Sequence, residues 1–268
     1  MAPSLEALAL KGRAALVTGV GRRRGIGFAI ASRLVRAGAD VTISHFGGHD
    51  AAQPWGADDP DEVRAALLAL RPDQGQRLHA IDADLAGPTV PDEVVDAAVA
   101  ELGSLDILIC NHARSGGDGA LGELDAAMID GHYAANTRSS LLLAQAFARV
   151  HDDVRPGGRV VFMTSGQGHG PMPGEVAYAA SKAALAGITA TIAHQLAPRG
   201  ITVNTVDPGP VNTAYLDGEA GAALLSRFPF GRLGEPDDPA RLIAWLVSDD
   251  AAWVTAQVIT TDGGFSLN

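Results

Sequence analysis

The chain has almost no cysteine. Cys110 is the only one in 268 residues, so an intrachain disulfide is impossible and a reducing compartment is expected. Aromatics are scarce too, at 5%, whereas hydrophobic residues reach 47% and glycine numbers 32. Such a core, built from small and aliphatic side chains, suits close packing of helices on a sheet. Positive charge is in deficit: 20 Lys plus Arg face 31 Asp plus Glu, a net charge of −11. That balance argues against general nucleic-acid binding, which needs a basic footprint, and against an anionic membrane surface. No uninterrupted apolar run approaches the roughly 20 residues of a membrane span. The opening MAPSLEALALKGR lacks the basic region and long apolar stretch of a signal peptide. The 8 histidines form no HExxH group, so no metal site is expected. A cytoplasmic protein with neither nucleic-acid nor membrane partners is the expectation.

What is present is alternation. Short β-rich runs at Ala14–Thr18, Val41–Ser44, His79–Asp82, Ile107–Cys110, Arg159–Thr164, Thr202–Val206 and Val258–Thr261 are separated by helical patterns. The helices are expected at Ile26–Ala37, Arg64–Leu70, Glu93–Leu102, Asp125–Val150, Val176–Ala197 and Pro239–Val247. Repeated βα units imply an α/β, Rossmann-type doubly wound fold: a mostly parallel seven-stranded sheet with helices on both faces, in one domain over residues 1–268. Ligands of such sheets bind beyond the carboxyl ends of the strands. Two connections exceed the usual length: His45–Pro60, expected to be a variable surface loop, and Asn212–Phe230, which suits a lid over a substrate.

Three clusters at strand ends carry chemistry. Tyr178 and Lys182 are four residues apart and share a helix face, with Ser165 upstream. An ammonium beside a phenol stabilises the phenolate, so Tyr178 could pass a proton to or from a substrate oxygen that Ser165 holds. The first strand leads into Thr18-Gly19-Val20-Gly21-Arg22-Arg23-Arg24-Gly25-Ile26-Gly27 and then a helix. Glycines there let a pyrophosphate approach backbone N–H groups at the positive end of the helix. The second strand ends in Ser44-His45-Phe46, without the acid that holds a bare adenosine ribose, and three arginines follow the first strand. Arg22, Arg23 or Arg24 could therefore bind a 2′-phosphate, which favours NADP over NAD.

In their order and spacing these motifs resemble the short-chain dehydrogenase/reductase superfamily, closest to 3-oxoacyl-(acyl-carrier-protein) reductase-like members. The resemblance runs from Lys11 to about Phe265. It implies that Asp84-Leu85 contacts the adenine and that Asn111 and His112 border the cofactor. It also implies that Asn136 joins Ser165, Tyr178 and Lys182 as the catalytic set. Pro208, Gly209, Val211 and Thr213 match the segment that cradles the nicotinamide, and Thr261-Asp262-Gly263-Gly264 matches a C-terminal signature. The expected chemistry is hydride transfer from NADPH to a ketone, most simply a 3-oxoacyl thioester of fatty acid biosynthesis. The expected assembly is a homotetramer. NAD-dependent oxidation of a secondary alcohol, sugar or steroid and a non-catalytic cofactor-binding regulator are the alternatives. Three departures stand out. The glycine turn is two residues longer than T-G-x3-G-x-G. Cys110 and His112 replace Asn and Ala of an Asn-Asn-Ala-Gly motif, and Ala256 stands where glycine is common.

Overall fold

Seven strands form one sheet in the order β3-β2-β1-β4-β5-β6-β7. They are β1 (Ala14–Thr18), β2 (Asp40–His45), β3 (Leu78–Asp82), β4 (Ile107–Cys110), β5 (Arg159–Met163), β6 (Thr202–Asp207) and β7 (Val258–Thr260). Every pairing is parallel, so the sheet is wholly rather than mostly parallel. The computed structural model describes residues 9–155 and 157–267, and the signal-peptide reading of residues 1–8 lies outside them. Chain order reverses between β1 and β4, whose residues Ala15 and Ile107 are in register. That switch point opens a crevice above Thr18 and Cys110.

The strands are apolar throughout because both faces are covered. Side chains alternate between two cores. Ala15, Val17, Ile107, Ile109, Val161 and Met163 face one cluster, with Ile30, Leu34 and Ile243. Leu16, Leu108, Cys110, Val160 and Phe162 face the other, with Leu143, Phe147 and Leu185. The period of two, continued over adjacent strands, is what fixes register when both faces are buried.

Nine helices among the described residues cover the sheet. They are α1 (Ile26–Arg36), α2 (Gly47–Ala52), α3 (Pro60–Leu68), α4 (Val90–Leu102), α5 (Ala126–His132), α6 (Ser139–Val150), α7 (Val176–Leu196), α8 (Glu219–Leu225) and α9 (Asp237–Leu246). The single helix expected over Asp125–Val150 is broken: a π-helical turn, Tyr133–Arg138, separates α5 from α6. The hydroxyls of Ser139 and Ser140 donate back to the carbonyls of Ala135 (2.5 Å) and Asn136 (2.8 Å), competing with the regular ladder. Such turns concentrate at functional sites.

The two long connections also differ from expectation. His45–Pro60 is not a simple surface loop: it contains α2, a short helix with two glycines and no buried residue. Nothing local marks it, since so short and glycine-rich a segment is held by tertiary contacts rather than propensity. The second connection contains α8. There Leu216 and Phe228 are buried, Phe228 against Phe265, whereas Tyr215 stays exposed beside Trp55. Residues 176–199, α7 and the turn after it, have the length and mean hydropathy of a membrane span. In the fold α7 packs along β6, burying Ala177, Ser181, Lys182, Leu185, Thr189 and Ala193. Ala256 has a φ of 64°, the left-handed region that explains why glycine is the easier residue there.

Candidate active site

β5 and α7 bring the expected proton-transfer groups together. Ser165 follows β5, and Tyr178 stands on the first turn of α7 with Lys182 one turn further on. The Lys182 ammonium is buried, 5.9 Å from the Tyr178 ring centroid, and donates to the carbonyl of Met163 at 3.0 Å. Burial pushes the lysine down to about 8, with Cys110 beneath it acting weakly the other way. Burial also pushes Tyr178 up to about 12. The Ser165 hydroxyl opposes that rise, and the Glu175 and Asp207 carboxylates add to it. The phenol thus stands above its ordinary value, where a lowered one was expected, because desolvation is the largest influence on it and the Lys182 ammonium donates to a backbone carbonyl instead.

Asn136 lies in the π turn and is fully buried. Its Oδ1 accepts from the Arg114 amide at 2.6 Å, and its Nδ2 donates to Ser181 Oγ at 2.9 Å. It thus ties the segment after β4 to the residue preceding Lys182.

Two residues in this region were not legible as site residues. Asp118 accepts from the amides of Ala177 (3.0 Å) and Tyr178 (2.7 Å), capping α7 from far away in sequence. Burial would raise its carboxyl, but the amides of Tyr178, Ala177 and Gly119 together hold it below the ordinary value. His132 is fully buried behind it, edge-on to the Tyr178 ring at a centroid distance of 6.1 Å. Its Nε2 donates to the Gly116 carbonyl at 3.1 Å. The only sequence signal was that Asp118 follows two glycines in a loop, which does not point at a helix start 58 residues on.

His112 is a bridge. Its Nδ1 lies 2.7 Å from Thr18 Oγ1 and its Nε2 2.7 Å from Ser139 Oγ. Because Ser139 donates to the Ala135 carbonyl, Nε2 carries the proton and Nδ1 accepts from Thr18. Burial pushes the imidazole down to about 3, so it is neutral and both nitrogens are engaged in joining β1 to α6. Cys110 is a buried thiol, pushed up to about 12 by desolvation.

The glycine turn borders a cavity of about 850 Å³. Among the expected cofactor residues, Gly19, Gly21, Arg22, Gly25, Ile26 and Gly27 line it. So do His45, Asp84, Leu85, Asn111, His112 and Thr213, from four other segments. The cradle fits a dinucleotide. A Cβ on Gly19, whose φ is +72°, would meet His112 Cα at 2.7 Å, and one on Gly27 would meet the Gly19 carbonyl oxygen at 2.3 Å. Gly25 caps α1 with no side-chain bond, leaving its first amides free for an anion. Thr18 is buried below, where its Oγ1 accepts from the Asn111 amide. Pro208, Gly209 and Val211 lie outside the cavity lining and follow β6, whose last residue, Asp207, acts on Tyr178 through space. Gly209 has a φ of +62°, and its amide donates to Asp207.

The three arginines diverge. The two extra residues of the turn let Gly25 close back on the Arg22 carbonyl, 2.9 Å, and turn Arg23 and Arg24 outward. Arg23 pairs with Asp58 and Glu62, and Arg24 forms a two-pronged pair with Asp217. Only Arg22 of the three lines the cavity. It donates to the Thr213 carbonyl at 2.5 Å and lies over the Trp55 ring. Arg114 lines the cavity as well, in space that Gly131 leaves free, and has no side-chain partner among the described residues.

Comparison with known proteins agrees with this arrangement. The family model described as enoyl-(acyl carrier protein) reductase matches residues 19–266. An uncharacterized oxidoreductase of Bacillus subtilis, YjdA, is 39% identical, covering 94% of this chain and 96% of its own. The cyclohexanol dehydrogenase of a Rhodococcus species is 36% identical over 97% and 98% of the two chains. A short-chain dehydrogenase from Burkholderia cenocepacia, solved in complex with NADP, superposes with a TM-score of 0.82. It is 38% identical and covers 96% of this chain and 99% of its own. A Rossmann-type sheet, a glycine turn and a Tyr-Lys pair at the strand ends define a nicotinamide-dependent oxidoreductase. The chain belongs to the short-chain dehydrogenase/reductase superfamily.

Proposed function

We propose that the chain interconverts a ketone and a secondary alcohol, with Asn136, Ser165, Tyr178 and Lys182 as the working set. The observation that carries this reading is the convergence of Ser165, Tyr178 and Lys182; none of the three lines the glycine-turn cavity, but Lys182 acts through space on His112, which does. A bound nicotinamide would supply or take the hydride. The glycine turn and the start of α1 would hold its pyrophosphate. Tyr178, neutral with its pKa near 12, acts as the proton donor to the substrate oxygen in reduction. Ser165 holds that oxygen by a hydrogen bond and stabilises the charge that develops on it. Lys182 keeps a positive charge near the phenol and would bond the nicotinamide ribose hydroxyls of a bound cofactor. Asn136 fixes the backbone on which that lysine stands.

Reduction of a 3-oxoacyl thioester is the first combination to test, with NADPH and NADH compared, since Arg22 is the one arginine of the triplet in the cavity and its guanidinium is engaged by the Thr213 carbonyl. Oxidation of a secondary alcohol with NAD is the second, favoured by the likeness to a cyclohexanol dehydrogenase. Nicotinamide absorbance, followed with acetoacetyl thioester and with cyclohexanol, separates the two. Tyr178→Phe should lower kcat by at least about a thousandfold, the scale of losing a positioned proton donor, while cofactor affinity stays within a factor of two or so. A variant with near-normal turnover would end this reading.

A further inference from the structure

Two charged groups that line the cavity, Arg114 and Asp50, have no side-chain partner among the described residues, and the acid is the closer to the glycine turn. Asp50, on α2, lies with its carboxylate against Gly21: a Cβ on that glycine would be 1.9 Å from Asp50 Oδ2. The side chain is half-buried and lines the same cavity as the glycine turn. Among the described residues no N–H or O–H donates to it and no cation pairs with it within 4.0 Å. Arg22, His49 and His45 act on it only through space. Burial pushes its carboxyl up, which is the mark of an acceptor lacking donors.

A ligand that enters this cavity and satisfies the carboxylate must bring hydroxyl donors. We infer that Asp50 selects the cofactor at its adenosine end, accepting from the ribose hydroxyls and working against a 2′-phosphate. This rests on the proposed reading that a nicotinamide dinucleotide occupies the cavity. The strand end that would ordinarily carry such an acid reads Ser44-His45-Phe46 and has none. Here the chain leaves β2, forms one short helix and returns an acid to the glycine turn from five residues beyond the strand. The absence of a side chain at Gly21 leaves the space that the carboxylate occupies.

The surrounding cations do not cancel this preference. Arg23 and Arg24 are engaged by Asp58, Glu62 and Asp217 outside the cavity. Arg22 is held by the Thr213 carbonyl and the Trp55 face, and Arg114 belongs to the stretch after β4, against α5. A 2′-phosphate placed at Gly21 would meet an anion first and reach Arg22 only by breaking that latch.

The test is direct binding, read apart from turnover. Dissociation constants of NADH and NADPH are measured by nicotinamide fluorescence for the wild type, Asp50→Asn and Asp50→Ala, with thermal unfolding to show that each variant is folded. The wild type should bind NADH more tightly. Either substitution should weaken NADH by roughly tenfold and tighten NADPH, shifting the ratio of the two constants by about a hundredfold. A ratio that moves less than about threefold, outside the tenfold scale of one lost charge contact, overturns the inference. So does a wild type that prefers NADPH and loses that preference in Arg22→Ala alone. A wild type that binds neither cofactor removes the proposed function along with it. A wild type that binds cofactor but turns over no ketone or alcohol removes only the proposed activity, and the ratio still decides the role of Asp50.

Discussion

Desolvation drives the two titratable groups at the centre of the site in opposite directions. Tyr178 is raised to about 12 and Lys182 lowered to about 8, because burial disfavours phenolate and ammonium alike. Near neutrality both are therefore in the proton-bearing form. As pH rises, the lysine loses its charge first, near 8, while the phenol is still protonated. Carbonyl reduction should hold its kcat/KM below about pH 8 and fall above it, following Lys182 rather than Tyr178. A pH–rate profile checks this, and a first break above about 10, the range of a free phenol, would speak against it. His112 contributes no such break, since it is neutral throughout this range and engaged at both nitrogens.

At the scale of elements, the helix that carries Tyr178 is anchored by a residue remote in sequence. Asp118 caps α7 through the amides of Ala177 and Tyr178, and His132 packs edge-on behind the ring. Removing the cap in Asp118→Ala should cost about 1–2 kcal/mol of stability. It should also lower kcat by roughly tenfold while leaving cofactor affinity unchanged, because the phenol is displaced and the glycine turn is not. Unfolding curves, kcat and cofactor binding measured on the same variant separate these effects. Equal losses in kcat and cofactor affinity would mean a general loosening of the fold. The folded pKa of Asp118 is depressed, so its contribution is present at neutral pH. It is lost as pH falls below about 4, through the ordinary carboxylate range. Two other elements work together across the cavity mouth. Arg22 links the glycine turn to Thr213 and Trp55, and Trp55 meets Tyr215, so the two long connections touch above the cofactor cradle.

For the whole molecule, the outer surface bears on the expected homotetramer, which is carried forward here as a proposal. Trp253 is 99% exposed, Val258 on the edge strand 48%, and Ile129 and Tyr133, flanking the start of the π turn, 47% and 49%. Large apolar side chains at an unpaired strand edge and along a helix face are surfaces that association would cover. Light scattering should return four times the chain mass, and Val258→Lys should lower it. An unchanged monomer mass for the wild type would exclude the assembly.

The order of strands and helices was legible because its signals are local. Runs such as AALVT and ILIC are apolar without a break, as strands covered on both faces must be, and glycines follow the first of them. The Tyr178–Lys182 spacing and the glycines of the turn were legible for the same reason: one helix face or one tight turn brings them together. The rest depended on contacts between segments far apart in sequence. The π turn at Asn136 arises from hydroxyls bonding backward, α2 from tertiary support of a glycine-rich segment, and the Asp118 cap from a loop meeting a distant helix. Burial raised the pKa of Tyr178, and Arg23 and Arg24 turn outward to pair with Asp58, Glu62 and Asp217. By itself the sequence determined the sheet, the turn and which side chains are candidates for the chemistry. The tertiary structure alone decided which charges face the cavity, because desolvation and pairing are properties of what the folded chain places around each group.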